Sequence, residues 1–142
     1  MFLDASALVA VINQEAGWQE IAKRLSDVQN ACFVSPLVRF EATLAVARAA
    51  ATAGGAAVRP SSELLASARE IVDDLIAELG ASEISISGEI GDKAIDAAMT
   101  YGKAVGHRAG LNFGDCFAYA CAKIHGVGLI YKGDDFAQTD LA

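Results

Sequence analysis

The sequence predicts an α/β layered fold with a mainly parallel sheet, in a single domain spanning 1–142. Two observations carry this. Short apolar runs of strand character alternate with longer stretches of helical periodicity along the whole chain. The 142 residues, 54% hydrophobic and 20% charged, suit one buried core. That composition excludes a disordered tail, a coiled-coil rod and a disulfide-stapled mini-fold. No internal repeat, low-complexity segment or domain-sized linker interrupts the alternation, and Gly54 to Arg59 reads only as a helix–helix connection.

Met1 to Asp4 reads as a very short apolar strand. Ala5 to Asn13 follows as an apolar helix behind an Asp/Ser start signal, so a carboxylate stands at a strand-to-helix junction. Trp18 to Val28 is a second helix with Ile21, Ala22 and Leu25 on one side, and Ala31 to Ser35 is a brief buried strand stopped by Pro36. Leu37 to about Ala53 is a third helix, ended by Gly54-Gly55. The clearest helix starts at Pro60-Ser61-Ser62. Leu64, Leu65, Ala68, Ile71, Val72, Leu75, Ile76 and Leu79 form its apolar stripe and Glu63, Arg69, Glu70, Asp73, Asp74 and Glu78 the opposite one, which is a packing pattern. Glu83 to Ser87 alternates like a strand, Glu89 to about Gly102 is an Ala/Ile helix, and Gly102 to Gly110 is a polar loop carrying Lys103, His107 and Arg108. Gly114-Asp115 opens a helix through His125. Gly128 to Tyr131 is the last strand and runs into the turn Gly133-Asp134-Asp135-Phe136. Phe113, Phe117, Tyr119 and Phe136 read as core aromatics, and His125 as structural.

The charge pattern narrows the function. Eighteen acids against 11 Lys plus Arg give a formal charge of −7, with no long basic cluster. Binding a nucleic acid by bulk charge is therefore excluded, and anything that holds phosphates here needs another source of positive charge. Cys32, Cys116 and Cys121 form neither a C-x-x-C pair nor a Cys/His cluster spaced for zinc, which points to reduced thiols. Asp4 interrupts the first apolar stretch, and the Ala-rich run Leu44 to Val58 is broken by Arg48 and two glycines, so neither a signal peptide nor a membrane span is expected. A cytoplasmic protein is the expectation.

Most of the acids lie where water accepts them; a few do not. Asp4 ends an apolar strand, at the carboxyl edge where open α/β sheets bind ligands, although an Asp before Ala5-Ser6 also suits a helix cap. Glu41 has Leu37, Val38, Leu44 and Ala45 as its neighbours at helical spacing. A carboxylate on such a face must be neutralised, paired or bound to a cation. Arg39, two residues away, does not share its face, whereas Arg48 at i+7 can reach it. Asp115 sits in the first turn of an otherwise apolar helix, where capping is its ordinary use, and Asp134 and Asp135 sit in a turn that favours Asp for conformational reasons. Taken together these positions can converge on one pocket. Carboxylates so gathered raise each other's pKa unless a counter-charge is present. Hard oxygen donors without His or Cys favour Mg²⁺, or Mn²⁺, over zinc, and a site of that kind performs phosphoryl chemistry.

Four segments carry a family resemblance: Met1-Phe2-Leu3-Asp4-Ala5-Ser6-Ala7-Leu8; Phe40-Glu41-Ala42; Leu111-Asn112-Phe113-Gly114-Asp115-Cys116-Phe117-Ala118-Tyr119-Ala120; and Leu129 to Asp140, with Gly133-Asp134-Asp135-Phe136 at its centre. In this order and across the whole chain they resemble the PIN-domain ribonucleases, and most of all the VapC toxins of bacterial VapBC toxin–antitoxin pairs. The resemblance implies a PIN-like three-layer sandwich. It implies an Mg²⁺-dependent endoribonuclease in which Asp4 and Asp115 are the principal ligands, Glu41 completes the acidic cluster, and an acid of the final turn is the fourth member. Asp135, beside Phe136, is the better match for that place and Asp134 its rival. A homodimer and inhibition by a VapB-type antitoxin whose tail occupies the active-site groove are implied as well. Ser6 matches the small hydroxyl residue that follows the first Asp, with hydrogen bonding inside the site or helix capping as its role.

The remaining cations have two readings each. Lys103, His107 and Arg108 are candidate contacts for an RNA backbone or a solvated loop. Arg39, Arg48 and Lys132 lie near acidic motifs and either pair with acids or steer phosphates, and at least one of them is expected to pair with an acid when metal is absent. Two other functions fit the carboxylates less well. An aspartate-based phosphatase wants a second Asp two residues after Asp4, where Ser6 stands. A phospho-receiver, or a non-catalytic Mg²⁺-binding partner module, wants adjacent acids after the first strand, where Asp4 stands alone.

Overall fold

The computed structural model describes every residue except Asn30, Gly54, Ala56, Ala57 and Ala142. Its sheet has the order β3-β2-β1-β4, with β1 at Phe2–Leu3, β2 at Phe33–Val34, β3 at Ser82–Glu83 and β4 at Leu129–Ile130. All pairings are parallel, with Phe2 opposite both Phe33 and Leu129, and Phe33 opposite Ser82. Parallel neighbours need crossover connections, and helices supply them. Between β1 and β2 run α1 (Ala5–Ile12) and α2 (Trp18–Ser26). Between β2 and β3 run α3 (Pro36–Thr52) and α4 (Ser62–Glu78). Between β3 and β4 run α5 (Gly88–Tyr101) and α6 (Phe113–Ile124). Successive strand residues point to opposite faces, and Phe2 and Leu3 are both 0% exposed, so both faces of β1 are covered. This is the layered parallel arrangement that the alternation of elements predicts.

The strands are short, and the segments that leave them continue their hydrogen bonding. The Phe2 amide donates to the Gly128 carbonyl (2.8 Å), the Asp4 amide to Ile130 (2.9 Å) and the Phe33 amide to Met1 (2.8 Å). The end of β1 is thereby tied to the end of β4, and the two loops that leave them are brought side by side.

Several elements differ from the sequence reading. The strand expected at Glu83 to Ser87 lies at Ser82–Glu83, both exposed. As an edge strand it needs pairing on one side only. The Ile84 amide still donates to the Val34 carbonyl (2.9 Å), and the chain then turns so that the Ser87 hydroxyl caps α5. Pro36 ends β2 by opening α3, where its fixed φ and missing N–H suit the first turn. The end of α3 was expected at Gly54-Gly55; Gly54 lies outside the described residues, and Ala53 is the cap. The α4 stripe is real but thinly covered: Ala68 and Val72 are buried, whereas Ile71 is exposed. Phe113 is not a core residue. It is 68% exposed, whereas Tyr119 and Phe136 are buried and Phe117 is partly so. An apolar helix presents no polar face, so its sequence did not disclose which side meets water.

The last turn is pinned from beneath. A 3₁₀ turn at Asp135–Gln138 begins just after Asp134, and Phe136 within it is 2% exposed, its ring 4.9 Å from that of Tyr131. Further on, Asp140 accepts from the Tyr119 hydroxyl (2.7 Å) and from Lys123 (2.8 Å), which clips the chain end to α6. Removing the anchor should therefore unfasten the turn. Phe136→Ala should lower the unfolding free energy by about 3–5 kcal/mol in urea titration, and a loss below about 1 kcal/mol would show that the turn is held by something else.

Candidate metal and phosphate centre

Asp4 follows β1 and serves as the N-cap of α1. Its Oδ2 accepts from the Ser6 amide (2.9 Å) and from the Ser6 hydroxyl, and the Ser6 oxygen accepts in turn from the Lys132 amide (3.0 Å). Both roles considered for this corner are thus present: Asp4 caps the helix, and the Ser6 hydroxyl bridges Asp4 to the chain leaving β4. Asp4 is 5% exposed. Burial raises its pKa, the two Ser6 hydrogen bonds oppose that rise, and the charge of Asp135 adds to it.

Asp115 is held by a different local device. Asn112 caps α6 by accepting from the Asp115 amide (3.0 Å), and Asp115 Oδ2 accepts from the Asn112 amide (2.8 Å), a reciprocal capping box. Burial pushes the Asp115 carboxyl up to about 6, against the Asn112 hydrogen bond and with help from Asp4 and Asp135. Glu41 projects from α3 against the backbone of Gly114; a Cβ at position 114 would run into both of its carboxylate oxygens. Partial burial, and then the charges of Asp4 and Asp115, raise Glu41 to about 7.

These groups line one cleft of about 490 Å³, together with Ser6, Phe40, Arg48, Asn112, Phe113 and Asp135. Asp135 is exposed at its edge, and Asp134, also exposed, is not part of the lining. The carboxylate oxygens are its candidate metal donors, and among the described residues no His or Cys borders the cleft. Among the described residues, no three Asp, Glu, His or Cys side chains stand close enough to form a ready-made ion cage. The carboxylates ring a shared space rather than close on a point.

The cations are deployed elsewhere. Arg39 makes a two-pronged pair with Asp73 of α4 (2.5 and 2.6 Å), and Lys132 pairs with Glu15 (2.5 Å). The expectation that one of these residues pairs with an acid is met, but not with an acid of the cleft. Arg48 lines the cleft, yet among the described residues it bridges to none of its carboxylates, so the Glu41–Arg48 pair that helical spacing allows is not formed. Lys103 borders a neighbouring apolar groove between α5 and α6 rather than the acidic cleft. His107 is part of its own loop: its Nδ1 accepts from the Ala109 amide (3.1 Å), and its ring sits edge-on to Tyr101. Arg108 is exposed and does not line the cleft. His125, also exposed, stacks on Phe33, in keeping with a structural role. The sequence reading missed Asn112, Phe40 and Phe113. Only the first left a signal, an Asn three residues ahead of an Asp at a helix start.

A PIN-domain family model matches residues 1–141. The chain belongs to the PIN-domain family. Within it, the chain is 53% identical over 142 residues to a VapC ribonuclease of Rhizobium meliloti, covering 99% of this chain and 98% of the relative. It is 34% identical to ribonuclease VapC30 of Mycobacterium tuberculosis, over 100% of the chain and 96% of the relative. Two solved structures share the fold. The VapC20 toxin of Mycobacterium tuberculosis, described as cleaving the sarcin-ricin loop, superposes with a TM-score of 0.67 at 16% identity, over 96% of this chain and 92% of that one. A toxin–antitoxin complex from Klebsiella pneumoniae gives 0.64 at 18% identity, over 99% and 92%. This PIN domain therefore has the fold that its motifs imply, and the acidic cleft lies where those motifs meet.

The raised carboxyl pKa values make the cleft a stability liability without a counter-ion. A folded-state pKa above the unfolded value means that the native protein holds protons the unfolded chain releases, so raising the pH favours unfolding. For Glu41 the window runs from 4.5 to about 7, and for Asp115 from 3.8 to about 6. In EDTA, the melting temperature should therefore fall between pH 4.5 and 7.5, and Asp4→Asn, which keeps an acceptor for Ser6 but no charge, should raise it at pH 7.5 by roughly 2–4 °C per kcal/mol gained. A pH-independent melt, or a marked drop in Asp4→Asn, would contradict the mutual repulsion. Gly114→Ala gives a more local check. The fold should survive while Glu41 swings outward, so that its carboxyl, followed by ¹³C NMR titration, drops from about 7 toward the ordinary value; an unchanged titration would mean that Gly114 does not seat it.

Proposed function

We propose that the acidic cleft is the active site of an Mg²⁺-dependent endoribonuclease, with Mn²⁺ able to substitute, and that the protein is the toxin of a type II toxin–antitoxin pair restrained by a VapB-type antitoxin. One observation carries the reading. The carboxylates of Asp4, Glu41, Asp115 and Asp135, from separate chain segments, line one cleft in which, among the described residues, no lysine or arginine is paired to them. The full-length likeness to curated VapC ribonucleases supports the activity, and a toxin–antitoxin complex among the structural neighbours supports the partner.

The donor set fits a hard divalent cation. It is all oxygen, it is partly desolvated, and its repulsion is relieved by two positive charges. Mg²⁺ keeps several waters and takes one or two carboxylates directly, which suits acids arranged round a cleft. Asp4 and Asp115 would hold it, with Glu41 and Asp135 completing the negative surround. A bound cation would supply Lewis-acid activation of water and neutralise charge on a phosphodiester. The chain's own contribution is positioning. Ser6 and the Lys132 amide fix Asp4, and Asn112 fixes Asp115, so that two carboxylates from different elements are held in set orientations. Without a cation Glu41 is raised to about 7 by partial burial and by Asp4 and Asp115; a bound divalent ion would draw it back down and leave it a carboxylate able to accept a hydrogen bond from a water at the site.

No helix among the described residues is long and apolar enough to cross a membrane, and the three cysteines are free and buried; a cytoplasmic location is consistent with both. Ile95 and Met99 of α5 are exposed, as is Val105 just beyond it, and they form the kind of apolar surface that a homodimer would cover.

The decisive assay uses antitoxin-free protein and total RNA with Mg²⁺ or Mn²⁺. Cleavage should appear with either metal, vanish in EDTA, return on adding metal back, and fall at least 100-fold in Asp115→Asn. Cleavage that persists in EDTA, or a fully active Asp115→Asn, would refute the mechanism.

A further inference from the structure

Two phenylalanines stand where a protein in water rarely leaves them. Phe40 is 61% exposed and Phe113 is 68% exposed, and both line the acidic cleft. Their positions are linked. Phe40 precedes Glu41 on α3, Phe113 precedes Gly114 on α6, and the Glu41 carboxylate lies against Gly114. One ring borders the cleft from α3 and the other from α6. Phe117 supports the ring of Phe113 from one side at a centroid distance of 5.0 Å, whereas Phe40 has no aromatic partner among the described residues. Arg48, two turns along α3 from Glu41, borders the same cleft as an exposed cation.

The rings and the carboxylates line one cleft, so a chain long enough to run through it meets both. For a nucleic acid the chemistry is selective. A chain of charge −7 without a basic stripe gains little from phosphates alone. A nucleobase offers an uncharged π-face, and stacking on an aromatic side chain is worth about 1–3 kcal/mol per base. In a duplex those faces are already stacked and out of reach. On the ribonuclease reading above, we propose that Phe40 and Phe113 are stacking platforms for two unpaired bases that flank the phosphodiester at the acidic cleft, with Arg48 receiving a backbone phosphate. Seating bases on both sides orients the bond between them, which converts binding energy into positioning.

The test uses a mixed-sequence oligoribonucleotide with 2-aminopurine at its adenines, single-stranded and annealed to its complement, in Mg²⁺. The wild type should cut the single strand in preference to the duplex and quench 2-aminopurine on rapid mixing, before cleavage. Phe40→Ala and Phe113→Ala should each raise KM by roughly five-fold or more, the lower end of the stacking range, with less quenching and a smaller effect on kcat. Phe113→Leu, which keeps apolar bulk without a π-face, should behave like the alanine variant; Phe113→Tyr should behave like the wild type. Arg48→Ala should raise KM with quenching intact, and Ile71→Ala, exposed on α4 away from the cleft, should change nothing. If the wild type cuts but the alanine and leucine variants match it, or duplex and single strand are cut alike, stacking is overturned and the nuclease reading stands. If the alanine variants change only the oligomeric state in light scattering, the rings belong to a contact between copies and stacking is again overturned. A wild type that cuts no RNA with either metal overturns the nuclease reading as well.

Discussion

The carboxylate of Asp4 leaves water at the end of β1 and is compensated there by Ser6 and, through Ser6, by the backbone of Lys132. The remainder of the cleft is built on that arrangement. Asp4 stands just past the end of an interior strand of a short sheet, where its own amide is spent on the Ile130 carbonyl. One acidic residue thus ties the start of α1 to the exit of β4, and the exit of β4 leads directly to the turn that carries Asp135. Because the parallel register sets strand ends side by side, the carboxyl edge is where such loops must meet. Asp115 and Glu41 arrive by separate routes, the first fastened by its capping box and the second by contact with a glycine that leaves room for it.

Each of these devices holds an acid where acids repel. The chain could relieve the repulsion with one well-placed lysine or arginine, yet Arg39 pairs with Asp73, Lys123 with Asp140 and Lys132 with Glu15, and Arg48, at the border of the cleft, bridges to none of its carboxylates among the described residues. Lys132 is the instructive case. Its backbone amide serves Ser6 at the cleft while its ammonium group reaches away to Glu15. An internal ion pair at Glu41 would stabilise the ligand-free fold and would also satisfy the site, removing its affinity for a cation. Stability given up at one place for unmet charge is a pattern expected where a fold is organised around binding or chemistry.

How much of this was legible in the sequence varies residue by residue. Asp4 could be read because a carboxylate ending an apolar strand conflicts with its surroundings, and Glu41 because its helical neighbours are apolar. Such conflicts are local, so one sequence displays them. The parallel layering was legible from the alternation of elements. Edge geometry was not: Ile84 and Ile86 alternate as in a strand, but the pairing stops after Glu83 because an edge strand answers to its one neighbour and to the cap of the next helix. The outward face of α6 was hidden too. Gly114 to Ala122 is almost wholly buried, and an apolar helix does not encode which of its sides is left uncovered, so Phe113 was expected in the core. The partner chosen by a cation is decided by tertiary approach, and neither Arg39–Asp73 nor Lys132–Glu15, separated by 34 and 117 residues, leaves a spacing signature.

The exposure of Phe113 bears on how an acidic protein can handle a polyanion. A net charge of −7 repels a polyanion as a whole, and that repulsion acts on every sequence and every secondary structure alike. Attraction has to be local to outweigh it. On the proposed function, a cation held by the carboxylates and the guanidinium of Arg48 would draw phosphates only within about 8–10 Å once salt screens the field. The uncharged faces of Phe40 and Phe113 add attraction that salt does not screen, but only for bases free to leave their own stacks. Repulsion that is general, set against attraction that requires unpaired bases at one cleft, is discrimination by penalty as well as by fit. If the proposed stacking holds, the acidic surface would be part of how the cleft selects its strand: it would suppress the adventitious binding that a basic groove accepts and leave the aromatic walls to decide what remains.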